Sequence, residues 1–379
     1  MVAADTIVSF KHLFSRSLSA APDRLHFAAH SHHLWPDASH DGQMAAWTDA
    51  AHLADHKWGV IMGSLWSEAQ GHIASELALP DPATISFSSN THDFLIRILS
   101  AMDRQSLRIL SSDGEFHSFR RQMARWVESG KIIWKQVPPG DLATEAGRNE
   151  YDLICASHVL FTSGHVVDIA PLAALAKPEG PWVVIDGYHS FMAIPTNLAD
   201  VADRIFYLSG GYKYAMAGEG VCFLHAPTGF APRPEITGWY AEFDDLALPP
   251  GSVGYAPDGR RFLGSTFDPS GLYRFCAIRS MLDVEGLSTE LISAHVTRLQ
   301  QQFLSACAMT AMTLLNPLTD GPHARFLAFK GPRAVQLHES LARHQVVTDV
   351  RGDVLRIGFG LYQDPEDVHQ LTEILELIN

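Results

Sequence analysis

Between Thr84 and Leu224 the sequence alternates short, unbroken apolar runs with stretches of helical pattern. The runs are Thr84–Phe87, Leu107–Leu110, Lys131–Trp134, Tyr151–Ala156, Trp182–Ile185, Ile205–Leu208 and Val221–Leu224; Asp93–Met102, Ser118–Ser129 and Leu172–Lys177 read as helices between them. Strands that are apolar on both faces have to be covered on both sides. That predicts an α/β fold, a mostly parallel seven-stranded sheet between helices. In such sheets ligands sit outside the carboxyl ends of the strands, so chemistry is expected just after each run. The loop joining the last two runs is too short for a helical crossover, which makes Val221–Leu224 antiparallel to its neighbour.

The flanking regions read differently. Residues 1–38 suggest a short helix and then an irregular polar segment carrying His26, His30, His32 and His33, expected to face a ligand. The spacing His30-x-His32-His33 fits no helical pair and has no cysteine or carboxylate nearby, so no metal is expected. Ser39–Leu79 reads as two long helices stopped at Pro80–Asp81–Pro82. From about Pro232 the alternation ends in a loop-rich stretch. Helices Leu272–Glu285 and Ser288–Ala308 follow, then strands near Ala324–Phe329, Val346–Val350 and Val354–Phe359, and a final helix Pro365–Ile378. The expected division is an N-terminal segment (1–38) against the small domain and active-site entrance, a large domain (39–235) and a smaller α+β C-terminal domain (236–379), as suits a chain of 379 residues.

A net charge of −14 argues against nucleic acid or an anionic membrane as partner. The four cysteines stand singly, three in apolar surroundings, as buried reduced thiols do. No secretory pattern opens the sequence and no apolar run reaches transmembrane length, so a cytoplasmic location is expected.

The strand ends, taken in order, form a pattern. After the first run, Asn90, Thr91 and His92 follow Ser88–Ser89 and open a helix; free N–H groups there suit a phosphate, although Ser89 or Asn90 would equally serve as an ordinary cap. After the second comes Phe116, placed to stack on a flat ring or simply to pack in the core. After the fourth comes Ser157, and after the fifth Asp186–Gly187–Tyr188–His189. A carboxylate behind Trp182–Val183–Val184–Ile185 is nearly buried and needs a partner. The protonated ring nitrogen of pyridoxal 5′-phosphate (PLP) is such a partner. The next strand end offers Lys213, 27 residues on, within Ser209–Gly210–Gly211–Tyr212–Lys213–Tyr214 and ahead of Gly218–Glu219–Gly220. Glycines allow close backbone approach to a ligand and aromatic rings exclude water, as a reactive lysine requires.

With these motifs the sequence resembles the class V aminotransferase group of fold-type I PLP-dependent enzymes, and within it the kynureninases, over most of residues 80–375. Tyr212–Lys213–Tyr214 with Gly218–Glu219–Gly220 resembles their Schiff-base segment, and Asp186 with His189 their Asp-x-x-His pair. Ser157–His158–Val159 with Ser163–Gly164 resembles their preceding strand end. The resemblance implies that Lys213 is the Schiff-base lysine and proton shuttle, that Asp186 holds the ring nitrogen and His189 the ring oxygen, and that Phe116 stacks on the ring. It implies a phosphate cradle of Asn90, Thr91, His92 and Tyr212, with Ser157 also at the cofactor. Gly238–Trp239, Arg261–Phe262 and Ser265–Thr266 resemble the stretch that a partner subunit supplies, which implies a homodimer with Trp239 and Thr266 completing shared sites. Arg356 matches the tail arginine that holds a substrate α-carboxylate.

The activity so implied is hydrolytic Cβ–Cγ cleavage of a kynurenine-type amino acid with release of alanine. Two departures touch the substrate side: Phe119 stands where kynureninases usually have an aspartate three residues after the stacking Phe, and His30–Ser31–His32–His33 replaces their Asn-Ser-Leu-Gly segment, making His30, Ser31 and His32 candidate substrate-binding residues. An aminotransferase passing the amino group to a 2-oxo acid is the alternative enzyme. A non-catalytic PLP-fold binding protein is the alternative of another class, disfavoured because it has no use for a proton-shuttling lysine.

Overall fold

The computed structural model describes residues 8–378 except 103, 105, 149, 246–248, 250 and 320. Its strands are β1 (Leu25–His26), β2 (Ile85–Ser88), β3 (Leu107–Ser112), β4 (Ile132–Val137), β5 (Leu153–Ser157), β6 (Trp182–Asp186), β7 (Ile205–Gly210), β8 (Cys222–His225), β9 (Thr313–Leu314), β10 (Phe326–Lys330), β11 (Val346–Val347), β12 (Asp349–Arg351) and β13 (Val354–Gly358). The seven strands β2–β8 form one sheet in the order β2-β8-β7-β6-β5-β3-β4. All pairings among β3–β7 are parallel, and β8 runs antiparallel to both β7 and β2. The predicted sheet and its one reversed strand are therefore present. β5 and β7 are buried at every position, as their unbroken apolar runs require, whereas the edge strand β4 leaves Ile133 exposed.

Each face carries its own core. On one side Leu110, Ile154, Ile185 and Tyr207 pack with Trp66, Ile73, Phe275 and Ile278. On the other Ile109, Cys155, Val184 and Phe206 pack with Phe94, Ile98, Met123 and Phe262. A third core, under the antiparallel sheet β12-β13-β10-β9, joins Leu355 and Ile357 to Val296, Phe303 and Leu371. No helix among the described residues is long and apolar enough to cross a membrane.

Three expectations change in detail. The helix expected at Leu172–Lys177 is only Ala170–Ala173; Pro178 disfavours helical geometry at Lys177 and leaves too few residues to propagate. The strand expected over Val346–Val350 divides at Thr348, because Val346 pairs with Leu25 of β1 while Asp349 pairs with Arg356 of β13. The second long helix between Ser39 and Leu79 is shortened to Trp66–Leu77: after Asp37–Leu53 the chain turns at Ala54, at φ 47°, and passes through 3₁₀ and π geometry before it.

Helix Asp37–Leu53 crosses helix Ser270–Val284 at Gly42, where a Cβ would lie 2.6 Å from the Tyr273 carbonyl oxygen and 2.8 Å from Arg274 Cα. Both neighbours are backbone, so the helices themselves would have to part. Gly42→Ala should cost about 1–3 kcal/mol of stability in denaturant unfolding. The effect reaches the site, because the Arg274 guanidinium donates to the Ala217 carbonyl at 2.6 Å and the Glu219 carbonyl at 2.5 Å. Those bonds hold the Gly218–Gly220 loop.

Candidate active site

β5, β6 and β7 end side by side, and their carboxyl ends carry Ser157, Asp186 and, three residues past β7, Lys213. A cavity of about 270 Å³ opens over them, near the lower end of the range for small-molecule pockets. Asn90, Thr91, His92, Phe116, Ser157, Asp186, His189, Tyr212 and Lys213 all line it. The sequence places these residues at separate strand ends; the parallel sheet brings them together.

Lys213 is 5% exposed, and its Nζ lies 2.7 Å from His189 Nε2. The Phe116, Tyr188 and Tyr212 rings surround it, with Nζ 5.7, 4.6 and 5.5 Å from their centroids. Burial pushes its ammonium down to about 7; Asp186 opposes this shift and Arg356 adds to it. Much of the lysine is thus uncharged near neutral pH, the form that acts as a nucleophile or base. His189 is held neutral by burial and by the nearby Lys213 and Arg356 charges, and its Nδ1 is buried without a partner. Burial raises the Asp186 carboxyl, while the Tyr188 N–H, which donates to Oδ1 at 2.9 Å, and Lys213 draw it back.

The N-terminus of helix Thr91–Ser100 also lines the cavity, through Asn90, Thr91 and His92. Asn90 is its ordinary cap, accepting from the Asp93 N–H at 2.9 Å, so the capping alternative holds for that side chain. The remaining N–H groups of the first turn and His92, whose Nδ1 is buried and unpartnered, still suit an anion. The loop that closes the pocket turns at Gly218, at φ 70°, where a Cβ would lie 2.2 Å from the Trp35 ring. A helix N-terminus with the unpartnered His92 Nδ1, the Phe116 ring, a buried acid and a buried lysine lowered to about 7 form a donor set that suits PLP, and these residues fit it.

Other candidates lie outside this cavity. Arg356, on β13, is buried and held by Asp349 Oδ2 at 2.6 Å and by the Phe161 carbonyl at 2.5 Å, with Nε unpartnered. It adjoins the cavity through the lining residue Phe161, whose ring centroid is 5.9 Å away. The histidine segment is not an exposed polar loop: His30 and His33 are buried, because β1 pairs with β11 and Ala28 bridges to Gly358, drawing the segment into the C-terminal sheet. His30 stacks on Phe326 at 4.8 Å with both ring nitrogens unpartnered. His32 remains exposed, stacked at 4.8 Å on the lining residue Tyr212 and 3.4 Å from Glu219; Ser31 contacts its ring at 3.4 Å. Trp239 and Thr266 do not line the cavity of their own chain, and both are exposed.

Sequence reasoning gave no role to Glu115, Tyr188, Phe161, Glu219 or Cys222, which also line the cavity. Glu115 lies further past its apolar run than Asp186 does, with Asp113 between, and stands next to Phe116, which drew the stacking argument.

Residues 290–375 match the family model of the kynureninase C-terminal domain. The kynureninase of Deinococcus radiodurans is 24% identical over 344 residues, covering 83% of this chain and 82% of its own. The resemblance to kynureninases is borne out. An uncharacterized aminotransferase, YcbU of Bacillus subtilis, is 25% identical over 232 residues, 60% of each chain. Among solved structures, a mutant of the cystine C–S lyase C-DES with glycine covalently linked to its PLP cofactor superposes with a TM-score of 0.81 at 17% identity, covering 97% of this chain and 99% of that one. The fold is that of the fold-type I PLP-dependent enzymes.

Proposed function

We propose that the chain is a PLP-dependent enzyme acting on an amino acid, and specifically a kynureninase-like hydrolase that cleaves the Cβ–Cγ bond of a kynurenine-type substrate and releases alanine. The observation that carries this reading is the buried Lys213–His189 contact of 2.7 Å at the strand end next to Asp186. Bound in this pocket, PLP supplies an electron sink for the bonds broken at the substrate. Asp186 would supply the fixed negative charge that keeps a ring nitrogen protonated, Phe116 would pack against the ring, and the N-terminus of helix Thr91–Ser100 with His92 and Tyr212 would hold the phosphate. Lys213, uncharged over much of the neutral range, accepts and returns the proton at the substrate Cα. Arg356 offers the N–H of its unpartnered Nε to the substrate carboxylate, its charge held in place by Asp349. His32, on Tyr212 at the mouth, and His30, beside Phe326, stand on the substrate side. Trp239 and Thr266 serve the pocket of a partner subunit in a homodimer.

The aminotransferase reading shares every one of these groups, and the likeness to YcbU favours it as the second reading. Incubation with kynurenine should release alanine and an aromatic acid without any added 2-oxo acid. Amino transfer that depends on an oxo acid, with no alanine formed in its absence, would overturn the hydrolase.

A further inference from the structure

The cavity holds a second buried carboxyl that the proposed function does not use. Glu115 is 2% exposed and lines the cavity three residues past β3. Its Oε1 accepts from the Ser112 hydroxyl at 2.6 Å and the Ser157 N–H at 3.2 Å, and its Oε2 accepts from the Ser157 hydroxyl at 2.5 Å. Ser157 is the register partner of Asp186 on the neighbouring parallel strand. The two carboxyls therefore stand at adjoining strand ends, tied through one serine. The titratable groups coupled to Glu115 are Asp186, from β6, and the Cys155 thiol, from β5; Lys213 acts on Asp186. No arginine or lysine forms an ion pair with Glu115 among those described.

We propose that Glu115 is a second carboxyl of the cofactor pocket, a positioning residue that fixes Ser157 beside Asp186 and gives up its proton when a cationic ring nitrogen is bound against Asp186. The inference rests on the PLP reading of the pocket. Burial pushes the Glu115 carboxyl up to about 7; the bonds from Ser112 and Ser157 oppose this, and the Asp186 charge adds to it. In the cofactor-free chain it thus exchanges its proton at neutral pH. A pyridinium beside Asp186 offsets the Asp186 charge and brings a positive charge near Glu115, and both changes favour the carboxylate. The proton passes to solvent, and Glu115 forms no bond to the cofactor. Ionised, it accepts the Ser157 bonds more strongly and holds that hydroxyl at the ring.

The test is calorimetric titration of PLP into the full chain freed of cofactor, in buffers of different ionisation enthalpy, with wild type compared to Glu115→Gln. At pH 7 the wild type should release about half a proton more per PLP bound than the variant. Its PLP affinity should also rise about tenfold relative to the variant between pH 6 and 8, as a shift of two units across that window implies. Equal proton counts and parallel affinity profiles overturn the proposal and leave Glu115 a structural tie between strand ends. Ser157→Ala removes the hydroxyl bond to Oε2, which holds the ionised form, and keeps the backbone N–H bond to Oε1, so it should move the midpoint of the wild-type profile to higher pH. If Glu115→Gln fails to fold, an unmoved midpoint in Ser157→Ala overturns the proposal on its own. A wild-type chain that binds no PLP overturns the underlying reading instead, a separate and visible outcome.

Discussion

Lys213→Met should abolish turnover and, at the same time, stabilise the cofactor-free chain near pH 7. Lys213 is buried, and its folded-state value is pushed down to about 7, against 10.5 for a free lysine. Between those values the unfolded chain binds more protons than the folded one, so this residue makes stability rise with pH through that window. Below about pH 7 its full cost is present. Methionine has similar length and no charge to desolvate, so the cofactor-free variant should gain on the order of 4 kcal/mol at pH 7, visible in denaturant or thermal unfolding. The gain should shrink as pH approaches 10.5. Turnover should fall by at least about a thousandfold, since the residue that moves the Cα proton is gone. A merely structural lysine would give the opposite pair of results, with turnover kept and stability lost. Stability gained together with activity lost is the mark of a residue held under strain for function.

Much of this site was legible because the sheet is parallel. From β5 to β7 sequence order is also spatial order, so Asp186 after one apolar run and Lys213 after the next stand at neighbouring strand ends. The strands β2–β8 were legible for a related reason: each is a short run, buried on both faces except at the edge strand β4, and its ends fall within two or three residues of where the apolar pattern stops. The C-terminal sheet was less legible. Its β1–β11 pairing is two residues long and joins Leu25 to Val346, a contact that leaves no periodic trace in either segment. That pairing buries His30 and His33, so four polar-looking histidines became a partly buried wall. The partnership of Arg356 with Asp349 was equally hidden, because it depends on the register of an antiparallel pair. Helices Leu142–Arg148 and Ala334–Arg343 went unread between stronger neighbouring signals.

Asp186→Asn is expected to leave the fold intact and remove most of the activity. The side chains have the same shape, and the amide oxygen can still accept the Tyr188 N–H. Burial raises the folded-state value of Asp186, which costs stability above the ordinary carboxylate range; the neutral amide removes that cost, so the variant should unfold no earlier than wild type at pH 7. Its charge does two jobs that the amide cannot. It keeps a bound ring nitrogen protonated, and it is the first of the groups that hold the Lys213 ammonium up against burial. Without it, turnover should fall about 10²–10³-fold, the usual cost of deleting one fixed charge or donor aimed at developing charge. PLP should bind more weakly, and the midpoint for Lys213 should drop below 7. Two measurements separate these effects: PLP titration reads the loss of the counter-charge at the ring nitrogen, and the stability-versus-pH profile of the cofactor-free chains reads the Lys213 midpoint. A variant that kept wild-type turnover would show that the buried carboxylate at the end of β6 is not the counter-charge for a cofactor, and the close Lys213–His189 pair would then need another explanation.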